Sequence, residues 1–271
     1  MTVSLIVATK GRSAELARLL RSLEKQTFKR FRVVIVDQNP PGFLAEIIAR
    51  YEGIVEMEVV ASEDGGVSSA RNLGLERVSG DIVAFPDDDC WYAPNTIDRV
   101  VRMFAETPET GGLIVSWGEK PPSEPSVYSL KPVNRFGAFR NAGTLVQFYR
   151  REALEGVWFD PSLGPGTGLP YGCGEDTDFL LQMLQKGAKI QRTSELLVYH
   201  PEPDISDRRL TPKTYAYARG RMYLLRKHGF PIWFQVANIL YPLGRLASEG
   251  SRAWNYRTAM FLGRLKSFWQ S

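Results

Sequence analysis

Short apolar runs of strand length alternate with helical periods along the first part of the chain, and this alternation constrains the fold more than any other feature. SLIVA (4–8), VVIV (33–36) and IVAF (82–85) are unbroken apolar or nearly apolar stretches, and each stops at a polar strand end. Such runs suit strands buried on both faces, as in a parallel sheet. Between them the period changes. Leu16, Leu19, Leu20 and Leu23 recur at helical spacing over residues 13–26, with Ser13 as N-cap. Residues 43–51 and 67–78 read as helices, the second with Val67, Ala70, Leu73 and Leu75 partly in phase. Residues 55–60 read as a further strand, and Pro94 starts a helix over 95–106. Strands alternating with helices predict an α/β, doubly wound and mainly parallel sheet. Ligand sites in such sheets lie outside the carboxyl ends of the strands. Thr9, Asp37 and the run Asp87–Asp88–Asp89 follow the apolar stretches directly, so they are expected to converge on one crevice.

The middle of the chain is less regular. A strand is expected over 112–117, a long Pro-rich and polar surface loop over 118–141, a strand over 144–149 and a short helix over 152–157. Residues 160–174 are dense in Gly and Pro, which suggests a functional loop. A helix over 175–186 places Phe179, Leu180, Met183 and Leu184 on one face, and a short strand over 196–199 runs into His200. Three helices follow, over 215–228, 232–248 (interrupted at Pro242) and 252–269. In the last, Trp254, Phe261, Leu265 and Phe268 share an apolar face, with Arg257, Arg264 and Lys266 expected elsewhere. No segment reaches the roughly 20 apolar residues that span a bilayer.

Composition is that of a core-forming protein, with 44% hydrophobic and 24% charged residues. Two cysteines, Cys90 and Cys173, supply neither a disulfide framework nor a CxxC zinc pair, and a reducing compartment fits them best. The first apolar run is too short for a signal peptide and has no charged leader. These features make a cytoplasmic location the expectation. Charge is unevenly spread: residues 208–271 hold 12 Lys/Arg and 1 Asp/Glu, a balance of +11, against −7 for residues 1–207. A basic segment of this kind faces an anionic surface, but no nucleic-acid-binding motif accompanies it.

The acids carry the chemistry. Three adjacent carboxylates repel one another, so placing them at a buried strand end is costly without a cation. A hard divalent ion with oxygen ligands removes that cost, and magnesium typically adds substrate phosphates to one or two carboxylates. A solvated turn is the bland alternative. Asp37 can accept from a base N–H or a ribose hydroxyl, or simply form an Asx turn. Arg71 can meet a phosphate or pair with a strand-end acid. Glu175, Asp176 and Asp178 open a helix, where the helix dipole favours acids. A carboxylate there, under the 160–174 loop, is also placed to act as a general base. His200 is a structural residue or a third metal ligand. His228 is best explained as a partner for its helix's C-terminus.

SLIVATKGR, VVIVDQN, GGVSSARNLGL, GDIVAFPDDDCWY and GCGEDTDFLLQML occur in an order that resembles the inverting glycosyltransferases of family 2, across most of residues 1–200. The resemblance implies the GT-A fold over residues 1–207, with a nucleotide-sugar half to about residue 118, an acceptor half after it, and a basic helical extension over 208–271. It implies donor contacts from Thr9, Arg12, Asp37, Arg71, Asp87 and Asp88, with Asp37 and Thr9 at the nucleoside and Asp87 at the ribose. Asp89 would hold Mn2+ or Mg2+ in a DxD-like motif, and His200 would complete its coordination. Asp176 would be the catalytic base, with Glu175 beside it. Gln182 stands where the family has an arginine, which puts a phosphate contact from that helix in doubt. The donor would be a nucleoside-diphosphate sugar, UDP the expected nucleotide, and the acceptor a glycan or lipid-linked glycan of surface polysaccharide synthesis. The C-terminal helices would meet the inner face of the cell membrane, pack on the catalytic domain or form a homodimer contact. Two rivals stand. A sugar-nucleotide nucleotidyltransferase needs a glycine-rich phosphate loop, and TKGRS offers one glycine. A non-catalytic nucleotide-sugar binding or scaffold protein has no need to keep Asp89 and Asp176.

Overall fold

The computed structural model describes residues 1–63, 65–120, 129–140 and 143–269. Two compact units emerge: Met1–Gly65, Ser69–Phe159 and Phe179–Glu202 form the first, and Gly66–Ser68, Asp160–Asp178 and Pro203–Ser271 the second.

The first unit is built on a sheet of nine strands: β1 (Val3–Thr9), β2 (Phe31–Asp37), β3 (Met57–Ala61), β4 (Ile82–Ala84), β5 (Trp91–Tyr92), β6 (Gly112–Gly118), β7 (Lys131–Pro132), β8 (Gln147–Arg150) and β9 (Ile190–Tyr199). Their order is β3-β2-β1-β4-β8-β6-β9-β5, with β7 paired to β9. The β3-β2-β1-β4 part is parallel, as the apolar runs predicted. Beyond it β8 runs antiparallel to both β4 and β6, so the whole sheet is mixed. The chain moves outward from β1 to β2 and β3, then returns to place β4 on the other side of β1. The carboxyl ends of β1 and β4 therefore flank a topological switch point, where open α/β sheets bind ligands.

Helix α1 (Ser13–Glu24) buries Leu16, Leu19, Leu20 and Leu23 completely, the stripe its spacing predicted. Helices α2 (Ala45–Tyr51), α3 (Val67–Leu75), α4 (Thr96–Glu106) and α5 (Glu175–Gln185) follow in chain order. Phe179 of α5 stacks on Phe159 at 4.2 Å and meets Phe85 and Tyr149 edge-on at 5.4 and 5.6 Å. Phe85 of this cluster sits two residues before the Asp87–Asp89 turn.

Some expectations change. The stretch 144–149 opens with a 3-10 turn and becomes strand only at Gln147, and 151–154 is a 3-10 turn rather than an α-helix. The 118–141 loop contains β7 and a further 3-10 turn, Gly137–Phe139, while its positions 121–128 and 141 lie outside the described residues. The strand expected over 196–199 is ten residues long and starts at Ile190.

The second unit gathers α6 (Thr211–Lys227), α7 (Ile232–Glu249) and α8 (Trp254–Trp269) with the 160–178 segment. Pro242 lies inside α7 without ending it. Helix α8 corrects the expected face. It buries Arg257, Ala259, Gly263, Arg264 and Ser267, and leaves Trp254 and Trp269 in solvent. The cause is close approach to α6: a Cβ at Gly263 would lie 2.6 Å from the Tyr215 carbonyl. Small residues must face α6 there. The arginines are accommodated by bonds to Glu249 and to the Asn238 carbonyl.

Candidate active site

The site in the first unit grows from the switch point. Register pairs Thr9 with Asp37 across β1 and β2, so both stand at the same sheet edge. The Thr9 hydroxyl is buried and donates to Asp88 Oδ2 at 2.9 Å. Asp88 is thus tied to β1. Its other oxygen accepts from Arg12 Nη1 at 2.9 Å. The same Arg12 nitrogen reaches Asp89 Oδ2 at 2.7 Å. Asp87 turns the other way and accepts from Arg71 Nη2 at 2.8 Å. Arg71 is buried, with its guanidinium over the Phe159 ring. Its neighbour Asn72 brackets the Phe159 backbone in both directions, at 2.8 and 2.9 Å, which fixes the middle of α3, where Arg71 stands. Asp37 Oδ1 accepts from the Asn39 N–H and side chain, so the Asx-turn alternative is realised. Asn39 in turn accepts from the Gly11 N–H.

His200 closes the cluster. Its Nδ1 lies 2.7 Å from the Pro201 carbonyl, which can only accept, so that nitrogen carries the proton. The neutral ring would offer an ion its Nε2 lone pair, whereas the protonated ring donates from Nε2 to Asp89 Oδ1, 3.1 Å away. Asp87, Asp89 and His200 each offer one ligand atom, all within 4.8 Å of one another. Asp89 Oδ1 is buried and lacks a hydrogen bond of good geometry. One nitrogen and two carboxylates with such an unsatisfied oxygen fit a divalent ion. The structure thus adds Asp87 to the expected pair of Asp89 and His200.

The electrostatics follow from these contacts. Burial raises the Asp88 carboxyl, although Arg12 and Thr9 pull against it. Burial also penalises the Asp89 anion, yet His200 and Arg12 outweigh it and hold Asp89 below the usual carboxylate range. His200 mirrors this: burial disfavours its cation, and the Asp89 and Asp87 charges raise it nonetheless.

Sequence reasoning missed two supports, Arg18 and Trp91. Arg18 donates to the Asp89 carbonyl at 2.5 Å and stacks 4.2 Å over Trp91, which itself stacks on Tyr199. The two-residue strand β5 that places Trp91 has no periodicity to detect. Gln182 is turned to the Trp158 carbonyl at 3.0 Å.

In the second unit, Gly174 precedes α5 at φ +111°, with the Leu224 side chain 2.7 Å from where a Cβ would stand. Only glycine fits this turn. Glu175 is buried, and Asp176 Oδ1 accepts from the Thr177 N–H at 2.5 Å. Asp178 is not a solvated helix-start acid. It is fully buried, 2.8 Å from Lys227 Nζ and 2.7 Å from His228 Nε2, and Lys227 also reaches Asp160 at 2.6 Å. His228 does cap α6 through its backbone, but its ring is buried against Asp178.

Comparison with known proteins identifies the family and the fold. The model of glycosyl transferase family 2 matches residues 4–155, and the chain belongs to that family. The succinoglycan biosynthesis protein ExoM of Rhizobium meliloti is 30% identical over 206 residues, 71% of this chain and 65% of that protein. The poly(ribitol-phosphate) beta-N-acetylglucosaminyltransferase TarS of Staphylococcus aureus is 31% identical over 110 residues, 39% of this chain and 19% of that protein. The chain spans 29% to 65% of the length of four such curated relatives. The mannosyltransferase PcManGT of Pyrobaculum calidifontis, solved with GDP-Man and Mn2+, shares the fold with a TM-score of 0.71 at 17% identity, over 99% of this chain and 87% of that one. The TarS 1–349 structure with UDP-GlcNAc gives 0.62 at 19% identity, over 100% and 92%. The fold is GT-A with a C-terminal helical region.

Proposed function

We propose that the chain transfers a sugar from a nucleoside-diphosphate donor to a hydroxyl acceptor, inverting the anomeric centre. The observation that carries this is the Asp87–Asp89–His200 group at the switch point between β1 and β4. Those three side chains would hold Mn2+ or Mg2+. The ion would supply charge neutralisation to the diphosphate as it leaves. Thr9 and Asp37 would line the nucleoside pocket. Arg71 keeps Asp87 turned toward the ribose, and Asp88 acts from behind by holding Thr9 and Arg12 in place. Asp176 would take the acceptor proton as its oxygen attacks the anomeric carbon in line, with Glu175 beside it. The 160–174 loop would exclude water, which otherwise hydrolyses the donor.

UDP is the preferred nucleotide in this reading. The acceptor is a glycan or lipid-linked glycan of surface polysaccharide synthesis, a class that the names of ExoM and TarS support. Residues 1–207 would form the catalytic domain. The basic 208–271 segment would bring the enzyme to the inner face of the cell membrane from the cytoplasm, or join two copies. A screen of sugar nucleotides with manganese tests the proposal. Release of free nucleoside diphosphate is the expected result. Release of pyrophosphate would mean nucleotidyl transfer, and binding without turnover a scaffold.

A further inference from the structure

Helix α7 carries an apolar surface that no described part of the chain covers. At about 100° per residue, Ile232, Leu243, Val236, Leu240 and Trp233 fall in one continuous arc, with Ala247 inside it, Gly244 and Ala237 past one edge and the buried Ile239 at the other. All five are exposed, Ile232 at 64%, Trp233 at 63% and Leu240 at 53%. The two charged residues of α7, Arg245 and Glu249, lie off this arc. An uncharged face this wide on a surface helix marks an interaction site.

Charge decides the occupant. The only acid within residues 208–271 is Glu249. Its carboxylate is already held by Arg245 and Arg257, at 2.5 and 2.6 Å. The segment therefore shows no free negative charge, while Arg208, Lys213 and Lys266 are exposed. A second copy would bring the same +11 balance against itself. An acidic lipid surface suits both an apolar arc and a segment of this charge. No described helix is long and apolar enough to cross a membrane. A helix of this length with an apolar arc and a tryptophan near one end lies in the interface plane instead.

We propose that α7 is an interfacial membrane-binding helix, its Ile232–Leu243 arc seated among the headgroups and upper acyl chains of a bilayer rich in acidic lipid. This deepens the reading of the basic segment given above and replaces the α8 aromatic face as the contact. Its role is to hold the enzyme where lipid-linked acceptors lie.

The test is co-sedimentation of the full chain with vesicles of phosphatidylglycerol and phosphatidylcholine, against vesicles of phosphatidylcholine alone, without sugar nucleotide. The chain is expected to bind the acidic vesicles and to leave them at high salt. Trp233→Glu and Leu240→Glu are each expected to weaken that binding by about 10-fold or more, through loss of buried apolar area and repulsion from the lipid charge. Both positions are exposed, so thermal unfolding should be unchanged and donor turnover retained. Parent protein that stays in the supernatant, or variants that sediment like the parent, would overturn the proposal. So would a parent dimer in solution that Leu240→Glu turns into a monomer. Failure of donor turnover with vesicle binding intact would instead count against the glycosyltransferase reading alone.

Discussion

At the scale of single residues, the acid cluster divides its labour. Asp88 is spent on Thr9 and Arg12, whereas Asp89 keeps one buried oxygen toward His200. Asp89→Asn should therefore weaken manganese-dependent binding of a nucleoside diphosphate by about 10-fold or more, as loss of even an outer partner does in metal sites. Calorimetric titration of UDP in manganese reads this directly, and an unchanged affinity would remove Asp89 from the ligand set. Asp176→Asn should leave that affinity alone and lower turnover about 10²- to 10⁴-fold, the usual contribution of a general base. Equal turnover of variant and parent would exclude Asp176 as the base. Asp89 and His200 were legible as candidate metal ligands, and Asp87 only as a donor contact, because each follows an apolar run and strand ends meet at a sheet edge. The partners were not. Arg12, named only as a donor contact, and Asn39 reach the acids or the β2 end from turns, and Arg18 reaches them from helix α1, in directions that no periodicity encodes.

At the scale of elements, burial on both faces made β1, β2 and β4 readable, since a parallel strand covered by helices has no polar alternation to confuse it. The two-residue strands β5 and β7 left no such trace, and Gln191, Arg192 and Glu195 broke the apolar pattern of β9. Helix α8 misled because its aromatics are in phase, yet packing against α6 selected glycine, alanine and serine for the inner face. The start of α5 misled in another way. Acids in a first turn look like dipole partners, but Asp178 is buried between Lys227 and His228, and within the second unit it ties the 160–178 segment to the end of α6. Removing one member of such a buried group typically costs about 3–5 kcal/mol, because the remaining charges lose their compensation. Asp178→Asn should lower the thermal midpoint far more than Asp176→Asn does. A variant as stable as the parent would show that Lys227 and His228 are satisfied by Asp160 alone.

At the scale of the whole molecule, the sequence divides by charge at residue 208, while the contacts group residues 160–178 with the C-terminal helices. The charge step was visible because it is contiguous. The grouping was not, because it rests on contacts distant in sequence: Tyr171 stacks on Tyr223 at 4.5 Å, and the Cys173 thiol donates to the Tyr217 carbonyl. Charge also sets what metal removal should do. Asp87, Asp88 and Asp89 face the guanidiniums of Arg12 and Arg71, so the cluster carries a net charge near −1 with His200 neutral and near zero with His200 protonated, the form its acids favour. A divalent ion alone gains little from a site already largely compensated, and a diphosphate alone meets two carboxylates at close range. Bound together they neutralise each other and the cluster. Thermal unfolding should therefore rise only slightly with manganese or UDP alone and clearly with both. At ligand concentrations about 100 times the dissociation constant the gain is about 2.7 kcal/mol. For a chain of this size that is a shift of several degrees. Chelation by EDTA in the presence of UDP should return the midpoint to that of the free protein. A full shift from UDP in EDTA would show that the nucleotide binds without the ion, leaving Arg12 and Arg71 as its cationic partners.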